Sequence, residues 1–147
     1  MLREPTIEKL QAMRLPAMAA AWLEQARSVA ATDLSFDERF AMLVDDEWLA
    51  RENKRVKRSL KEAKLRISHA CIEDLEYNAR RELDKATVRQ LTICRWVTEH
   101  QPILITGKTG TGKSYLACAL ANQACRKGFR ACYRRSATLR RTEAGSR

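Results

Sequence analysis

Apolar residues recur at a helical period through the first part of the chain. Residues 6–13 carry the pattern of a short helix, and Pro16 suits the first turn of a second helix that extends to about Val29. Leu15 precedes this proline and is therefore steered away from helical backbone angles. The sequence predicts two helices with a bend between them.

A long helix is predicted next. Ser35 and Glu38 have the spacing of a capping box, in which each side chain meets the other's backbone N–H group. No Gly or Pro lies within the span from Phe36 to about Ile67, so the helix is expected to extend over it. Its apolar stripe changes faces near residues 47–51. Either the helix breaks there, or its two halves pack against different neighbours.

Strand-like and helical patterns alternate in the later part of the chain. Residues 83–97 predict a helix, and the aliphatic run at residues 102–106 predicts a buried strand. Residues 115–127 are rich in Ala and Leu and end at Gly128, as is typical of a helix with a glycine cap. Residues 129–133 predict a second short strand. We therefore expect an α/β fold, in which a helical N-terminal domain precedes the beginning of an incomplete parallel-sheet domain.

The loop between the first predicted strand and the following helix carries the strongest chemical signal. Residues 107–114 read G-K-T-G-T-G-K-S and match the phosphate-loop (Walker A) pattern G-x-x-x-x-G-K-[ST]. Lys113 is expected to reach the β- and γ-phosphates of ATP, and the hydroxyl of Ser114 to take one coordination position on Mg²⁺. A glycine-rich surface turn is the alternative, but it needs no strand before it and no helix after it. The predicted nucleotide contacts are Gly107, Lys108, Thr109, Gly110, Thr111, Gly112, Lys113, Ser114 and Tyr115.

Positive charge is unevenly placed along the chain. The sequence has 28 Lys and Arg against 18 Asp and Glu, and ten of the basic residues but only one of the acidic ones follow Gln101. Within the predicted long helix, residues 51–66 hold eight Lys or Arg and two Glu. This pattern favours non-specific binding of double-stranded DNA through its phosphates, with a solvated helix face as the alternative. The candidate DNA contacts are Arg51, Lys54, Arg55, Arg58 and Lys61.

The cysteine pattern and the hydropathy of the sequence indicate in which cellular compartment the protein is expected. The five cysteines include no C-x-x-C pair, which argues against a disulfide framework and against a zinc site. The sequence shows neither a signal-peptide pattern nor an apolar run of membrane-spanning length. We expect a cytoplasmic protein with reduced thiols and no membrane partner.

Taken together, the segments of the chain resemble the IstB-like family, the ATP-binding helper proteins of insertion-sequence transposition, which are relatives of the DnaC helicase loader within the AAA+ ATPases. The resemblance covers nearly everything up to Tyr133, and it is much more specific than the phosphate loop alone. The matching stretches are L-Q-A-M-R-L-P-A-M (10–18), L-S-F-D-E-R-F (34–40), E-W-L-A-R-E-N-K-R (47–55), I-E-D-L-E-Y (72–77), L-D-K-A-T-V-R-Q-L (83–91) and I-T-G-K-T-G-T-G-K-S-Y-L-A-C-A-L (105–120).

The resemblance implies a helical domain joined to an AAA+ core, ATP-dependent assembly on DNA with self-association, and a transposase as partner. The chain departs from the family pattern because no Asp follows Asp84 and only Glu143 follows Glu99, which leaves no counterpart for the Walker B carboxylate. We therefore predict no catalytic residue and negligible hydrolysis of ATP. A gene fragment, a frameshifted copy and a short regulator stay open, and the alternative function is a non-catalytic DNA-binding or oligomerisation module.

These patterns divide the sequence into four segments. Residues 1–70 are the predicted helical N-terminal domain with the long basic helix, and residues 71–101 are a connector and helix leading into the ATPase core. Residues 102–133 form the β-α-β start of the P-loop (AAA+) domain. Residues 134–147 are a polar, basic tail that we expect to be disordered.

Overall fold

A computed structural model describes residues 3–78 and 81–137, which belong to two compact units divided between Arg55 and Val56. Short 3₁₀ turns at Ala30–Asp33 and Ile72–Asp74 connect the helices. The α-helices of the described residues are α1 (Arg3–Ala12), α2 (Pro16–Gln25), α3 (Phe36–Ala63), α4 (Lys85–Leu91), α5 (Arg95–Thr98) and α6 (Lys113–Arg126).

The predicted bend between the first two helices is confirmed. Arg14 lies at φ +60°, and Pro16 is the first residue of α2, where its missing N–H group costs no hydrogen bond. The second helix ends at Gln25, earlier than predicted.

The predicted capping box is present at the start of α3. The carboxylate of Glu38 accepts a hydrogen bond from the N–H of Ser35 at 2.8 Å, and the hydroxyl of Ser35 accepts one from the N–H of Glu38 at 3.3 Å. The helix continues without interruption to Ala63 and stops where Lys64 takes φ +49°. A break near residues 47–51 is therefore excluded, and the two halves of α3 belong to different compact units.

Only part of the predicted apolar face in the first half of α3 is buried. Leu43 is buried, whereas Phe36 and Phe40 are exposed and their rings stack with centroids 5.9 Å apart. The core of this unit is small and contains Ala19 and Ala31 besides Leu43.

A carboxylate on α3 forms a hydrogen bond with the first turn of α2. Leu15, at the N-cap of α2, provides no side-chain cap, and Glu47 accepts a hydrogen bond from the N–H of Met18 at 3.0 Å instead. Glu47 also accepts from Nε of Arg51 at 3.0 Å, and Arg51 donates to the carbonyl of Arg14 at 3.0 Å. This network closes the first unit around the turn between α1 and α2.

The predicted parallel sheet is wrong: residues 3–78 and 81–137 contain no β-strand. Residues 102–107 have no regular secondary structure, and Leu104 is 89% exposed where a buried strand was expected. In the second predicted strand, the N–H of Tyr133 donates to the carbonyl of Ala63 at the end of α3, at 2.9 Å. A strand exists only when a neighbouring strand completes its ladder of hydrogen bonds, and these two segments are not paired with each other.

Helix α6 confirms the helix predicted from the Ala-rich sequence at residues 115–127, and six of its residues are buried in the second unit. Its buried residues include Cys118 and Ala119, which form a cluster with Ala70, and Tyr133 packs against that cluster. After the helix, Gly128 has φ +98° and donates its N–H to the carbonyl of Cys125 at 3.1 Å, which is the expected glycine cap.

The helix predicted over residues 83–97 is divided into α4 and α5. Asp84 caps α4 by accepting hydrogen bonds from the N–H groups of Ala86 and Thr87 at 3.2 and 3.0 Å. The division occurs at Cys94, a buried residue with φ +61°. Most of the predicted polar tail, residues 138–147, lies outside the described residues. None of the described helices is both long and apolar enough to cross a membrane.

Candidate nucleotide-binding site

The predicted phosphate loop leads directly into α6. Gly110 and Gly112 have φ +80° and +87°, and a Cβ atom added at either position would meet nothing within 4 Å. These positions therefore favour glycine for its backbone conformation rather than for lack of space. Gly107, at φ +149°, lies closer to its surroundings, because an added Cβ there would be 3.3 Å from Oγ1 of Thr111.

The N-terminus of α6 lacks a side-chain cap. Gly112 occupies the N-cap position, and the first helical bond within this turn runs from the N–H of Leu116 to the carbonyl of Gly112 at 3.0 Å. The N–H groups of Lys113, Ser114 and Tyr115 precede that bond. These groups carry the partial positive charge of a helix start, so this end of α6 can receive an anion.

The ammonium group of Lys113 is held over the loop. It donates hydrogen bonds to the carbonyl oxygens of Gly107 at 2.8 Å and Lys108 at 2.6 Å. The hydroxyl of Thr111 also donates to the carbonyl of Lys108, at 2.8 Å. Lys113 is therefore already directed toward the concave side of the loop, where phosphate oxygens would replace the two carbonyls as its acceptors.

A cavity of about 440 Å³ adjoins the loop. This volume lies in the range of small-molecule sites. Sequence reasoning missed residues 74–76 and 81–83 as part of this site, because nothing in their local pattern shows that they lie against a loop about thirty residues later. The lining residues are Asp74, Leu75, Glu76, Arg81, Glu82, Leu83, Ile105, Thr106, Thr111, Gly112, Lys113, Tyr115 and Leu116.

Tyr115 has a structural contact besides its place in the cavity wall. Its ring packs against the Ala70 cluster, and its hydroxyl accepts a hydrogen bond from the N–H of Cys71 at 3.5 Å. The ring also meets that of His69 edge-on, with centroids 6.4 Å apart. The group that Tyr115 offers to a phosphate is therefore its backbone N–H. Lys108 and Thr109 are exposed on the loop.

The loop and helix start fit a polyphosphate, whereas the protein ligands for Mg²⁺ are few. Among the described residues, no three His, Cys, Asp or Glu side chains are grouped so that they could hold a metal ion. Asp74, which lines the cavity, accepts a hydrogen bond from the thiol of Cys71 at 3.0 Å. Mg²⁺ would therefore meet this chain through the hydroxyl of Ser114, with phosphate oxygens and water as its other ligands.

The candidate DNA contacts lie on α3 and differ in their partners. Arg51 forms an ion pair with Glu47 at 3.0 Å, and the pairs Arg55–Glu52 and Arg58–Glu62 are both 2.9 Å long. Lys54 and Lys61 are exposed, and no ion pair is described for either. The Arg58–Glu62 pair is exposed, and such pairs contribute about 0–1 kcal/mol, so a phosphate can compete for Arg58. Arg51, in contrast, is held by the buried carboxylate of Glu47.

Comparison with known proteins identifies the family of this chain. The sequence model of the family described as IstB-like ATP binding protein matches residues 8–144. A Pseudomonas fluorescens protein named as an ATP-binding protein of insertion sequence IS1162 is 42% identical over 139 residues, which are 95% of this chain and 60% of the relative. A Sinorhizobium fredii protein with the name of an insertion-sequence ATP-binding protein is 38% identical over 135 residues, 92% of this chain and 55% of that relative.

This chain thus spans somewhat more than half the length of these two relatives. The match extends over both compact units and includes the phosphate loop. The chain belongs to the IstB-like ATP-binding protein family.

Proposed function

We propose that this chain binds ATP through the phosphate loop at residues 107–112 and the N-terminus of α6, as a helper protein of insertion-sequence transposition. One observation carries the proposal: positive-φ glycines lead into a helix start without a side-chain cap, and the ammonium of Lys113 is held by the loop carbonyls of Gly107 and Lys108. The names of the relatives support the same ligand and the same genetic context.

Each part of the site has its own role in this proposal. The N–H groups of residues 113–115 hold phosphate oxygens, and Lys113 places a positive charge beside the β- and γ-phosphates. The cavity between the loop and residues 74–76 and 81–83 receives the nucleoside. The hydroxyl of Ser114 would hold Mg²⁺, which would neutralise part of the phosphate charge.

Double-stranded DNA is the second ligand in the proposal. Its support is the basic surface of α3 together with the charge excess that follows Gln101. Contacts from Lys and Arg to phosphates hold DNA without reading its sequence.

A nucleotide titration with a matched control tests the ATP site. Calorimetry with wild type, Lys113→Ala and Lys108→Ala compares two variants that each remove one lysine from the same loop. Lys113 contacts the loop carbonyls with its ammonium group, whereas Lys108 takes part in the loop through its backbone, which the Ala variant keeps, and no contact is described for its side chain. We expect Lys113→Ala to weaken ATP binding at least about tenfold, because it removes a charge-assisted hydrogen bond to phosphate. Equal effects of the two variants would contradict the assignment.

A further inference from the structure

The segment after α6 presents alternate side chains to opposite sides. Phe129, Ala131 and Tyr133 are half-buried, whereas Arg130, Cys132 and Arg134 are exposed. Such alternation is the behaviour of extended backbone. Tyr133 anchors the segment, since its ring packs against the Ala70 cluster and its N–H donates to the carbonyl of Ala63. The two arginines are thereby held beside the last turns of α3.

A cavity of about 470 Å³ lies between this segment and α3, which we call the arginine cleft. Its charge is predominantly positive, because its carboxylate, Glu62, already pairs with Arg58 at 2.9 Å. Among the described residues, neither Arg130 nor Arg134 has an ion-pair partner. The arginine cleft is lined by Ser59, Glu62, Arg130, Ala131, Cys132 and Arg134.

We propose that the arginine cleft binds a phosphate of the nucleic-acid backbone. Two guanidinium groups offer forked donors that match phosphate oxygens, and the hydroxyl of Ser59 adds a third donor. The inference rests on the DNA contact in the proposed function and extends it from the surface of α3 to the segment after α6. All the lining residues belong to the second compact unit.

The lining also favours a backbone phosphate over a free nucleotide. No aromatic ring is among the described residues that line the arginine cleft, so a base has no face on which to stack. A site built from guanidinium groups and a hydroxyl holds the phosphate and leaves the base unread. The cleft is thus a second phosphate site with a chemistry different from that of the loop at residues 107–112.

A pair of double variants separates the arginine cleft from general charge. Arg130→Ala with Arg134→Ala removes two positive charges from the cleft, and Lys127→Ala with Arg135→Ala removes two exposed charges that do not line it. Binding of a short DNA duplex is followed by fluorescence anisotropy at increasing salt. We expect the cleft variant to lose about tenfold in affinity at low salt and to reduce the slope of log K against log salt by about two. The control should change affinity less than about threefold.

The outcomes distinguish this inference from the function on which it rests. Equal losses in the two double variants would overturn the arginine cleft and leave non-specific DNA binding intact. A wild-type chain that binds no duplex at low salt would overturn both.

The thiol of Cys132 provides an independent readout. Cys132 is exposed in the cleft wall, Cys71 is half-buried, and Cys94, Cys118 and Cys125 are buried. In a Cys71→Ser background, the rate of modification by a neutral thiol reagent therefore reports on the cleft. We expect saturating duplex to slow this reaction at least about fivefold, whereas ATP should leave it unchanged, because a bound backbone covers the thiol. Equal protection by ATP, or no protection by a duplex that binds, would overturn the proposal.

Discussion

The carboxylate of Glu47 accepts a hydrogen bond from the backbone N–H of Met18, 3.0 Å away and 29 positions earlier in the chain. Met18 lies in the first turn of α2, whose own N-cap residue, Leu15, provides no side-chain acceptor. A residue on α3 therefore performs the capping role for α2 and complements its helix dipole with a negative charge. The same carboxylate binds Arg51, which reaches back to the carbonyl of Arg14.

Replacing Glu47 by Gln should lower the free energy of unfolding by about 1 kcal/mol at neutral pH, because the cap loses its charge. Urea denaturation followed by circular dichroism measures the change. Asp45→Asn is the matched control, since Asp45 is exposed on the same helix and no contact is described for it. Equal midpoints for the wild type and Glu47→Gln would show that the contact adds nothing to stability.

The pH dependence of this contribution follows from the pKa of Glu47. Burial raises that pKa, but the hydrogen bonds from Met18 and Arg51 outweigh burial and bring it below the ordinary value of 4.5. The folded state therefore binds this proton less readily than the unfolded state does. The stabilisation is present above pH 4.5 and is lost as pH falls through the lower folded pKa. The stability difference between wild type and Glu47→Gln should shrink on acidification, and a constant difference would contradict this.

Local features of the sequence were sufficient to predict several elements. The capping box at Ser35, the proline start of α2 and the glycine end of α6 each depend on residues within one or two turns. The sequence likewise predicted that a helix follows directly after the loop at residues 107–112. The two predicted strands are absent from the described residues, because an aliphatic run such as residues 102–106 does not specify the partner with which a strand must pair. Nor could local pattern predict that residues 74–76 and 81–83 line the cavity beside the loop.

The positive φ angle of Gly112 restricts which residues can occupy this position in the candidate nucleotide site. Its φ of +87° is costly for alanine, although a Cβ there would meet nothing within 4 Å. Gly112→Ala should therefore weaken ATP binding by shifting the first N–H groups of α6, by about 1 kcal/mol or more. Gly112→Asn should retain more affinity, since Asn tolerates positive φ better. A titration in which Ala and Asn behave alike would point to side-chain bulk instead of backbone angle.

Hydrolysis of ATP by this chain should be negligible. The sequence after Glu99 has Glu143 as its single carboxylate, and among the described residues no three His, Cys, Asp or Glu side chains are grouped to complete the coordination of Mg²⁺. A steady-state phosphate-release assay with the 147-residue chain measures this directly. Turnover above background that Lys113→Ala abolishes would contradict the prediction.

Changing Arg55, Arg58 and Lys61 together to Ala should lower affinity for unrelated DNA sequences to a similar extent. It should also reduce the slope of log K against log salt, because a variant that makes fewer phosphate contacts releases fewer counterions when it binds. Anisotropy titrations at several salt concentrations give both quantities. Lys113→Ala is the control and should leave nucleotide-free DNA binding nearly intact, since Lys113 lies in the phosphate loop. An unchanged slope in the triple variant would remove this face of α3 from the DNA surface.

The extended residues that precede the phosphate loop differ from α6 in how their amide hydrogens meet water. Ile103, Leu104 and Ile105 have no described backbone hydrogen-bond partner, whereas the N–H groups of α6 beyond its first turn are bonded within the helix. Exchange with deuterated solvent should therefore be fast before the loop and slow after it. The residues before the loop are therefore the locally less stable side of the candidate site, and α6 is the more stable side. The less stable side is the one that can change its backbone conformation when a ligand binds.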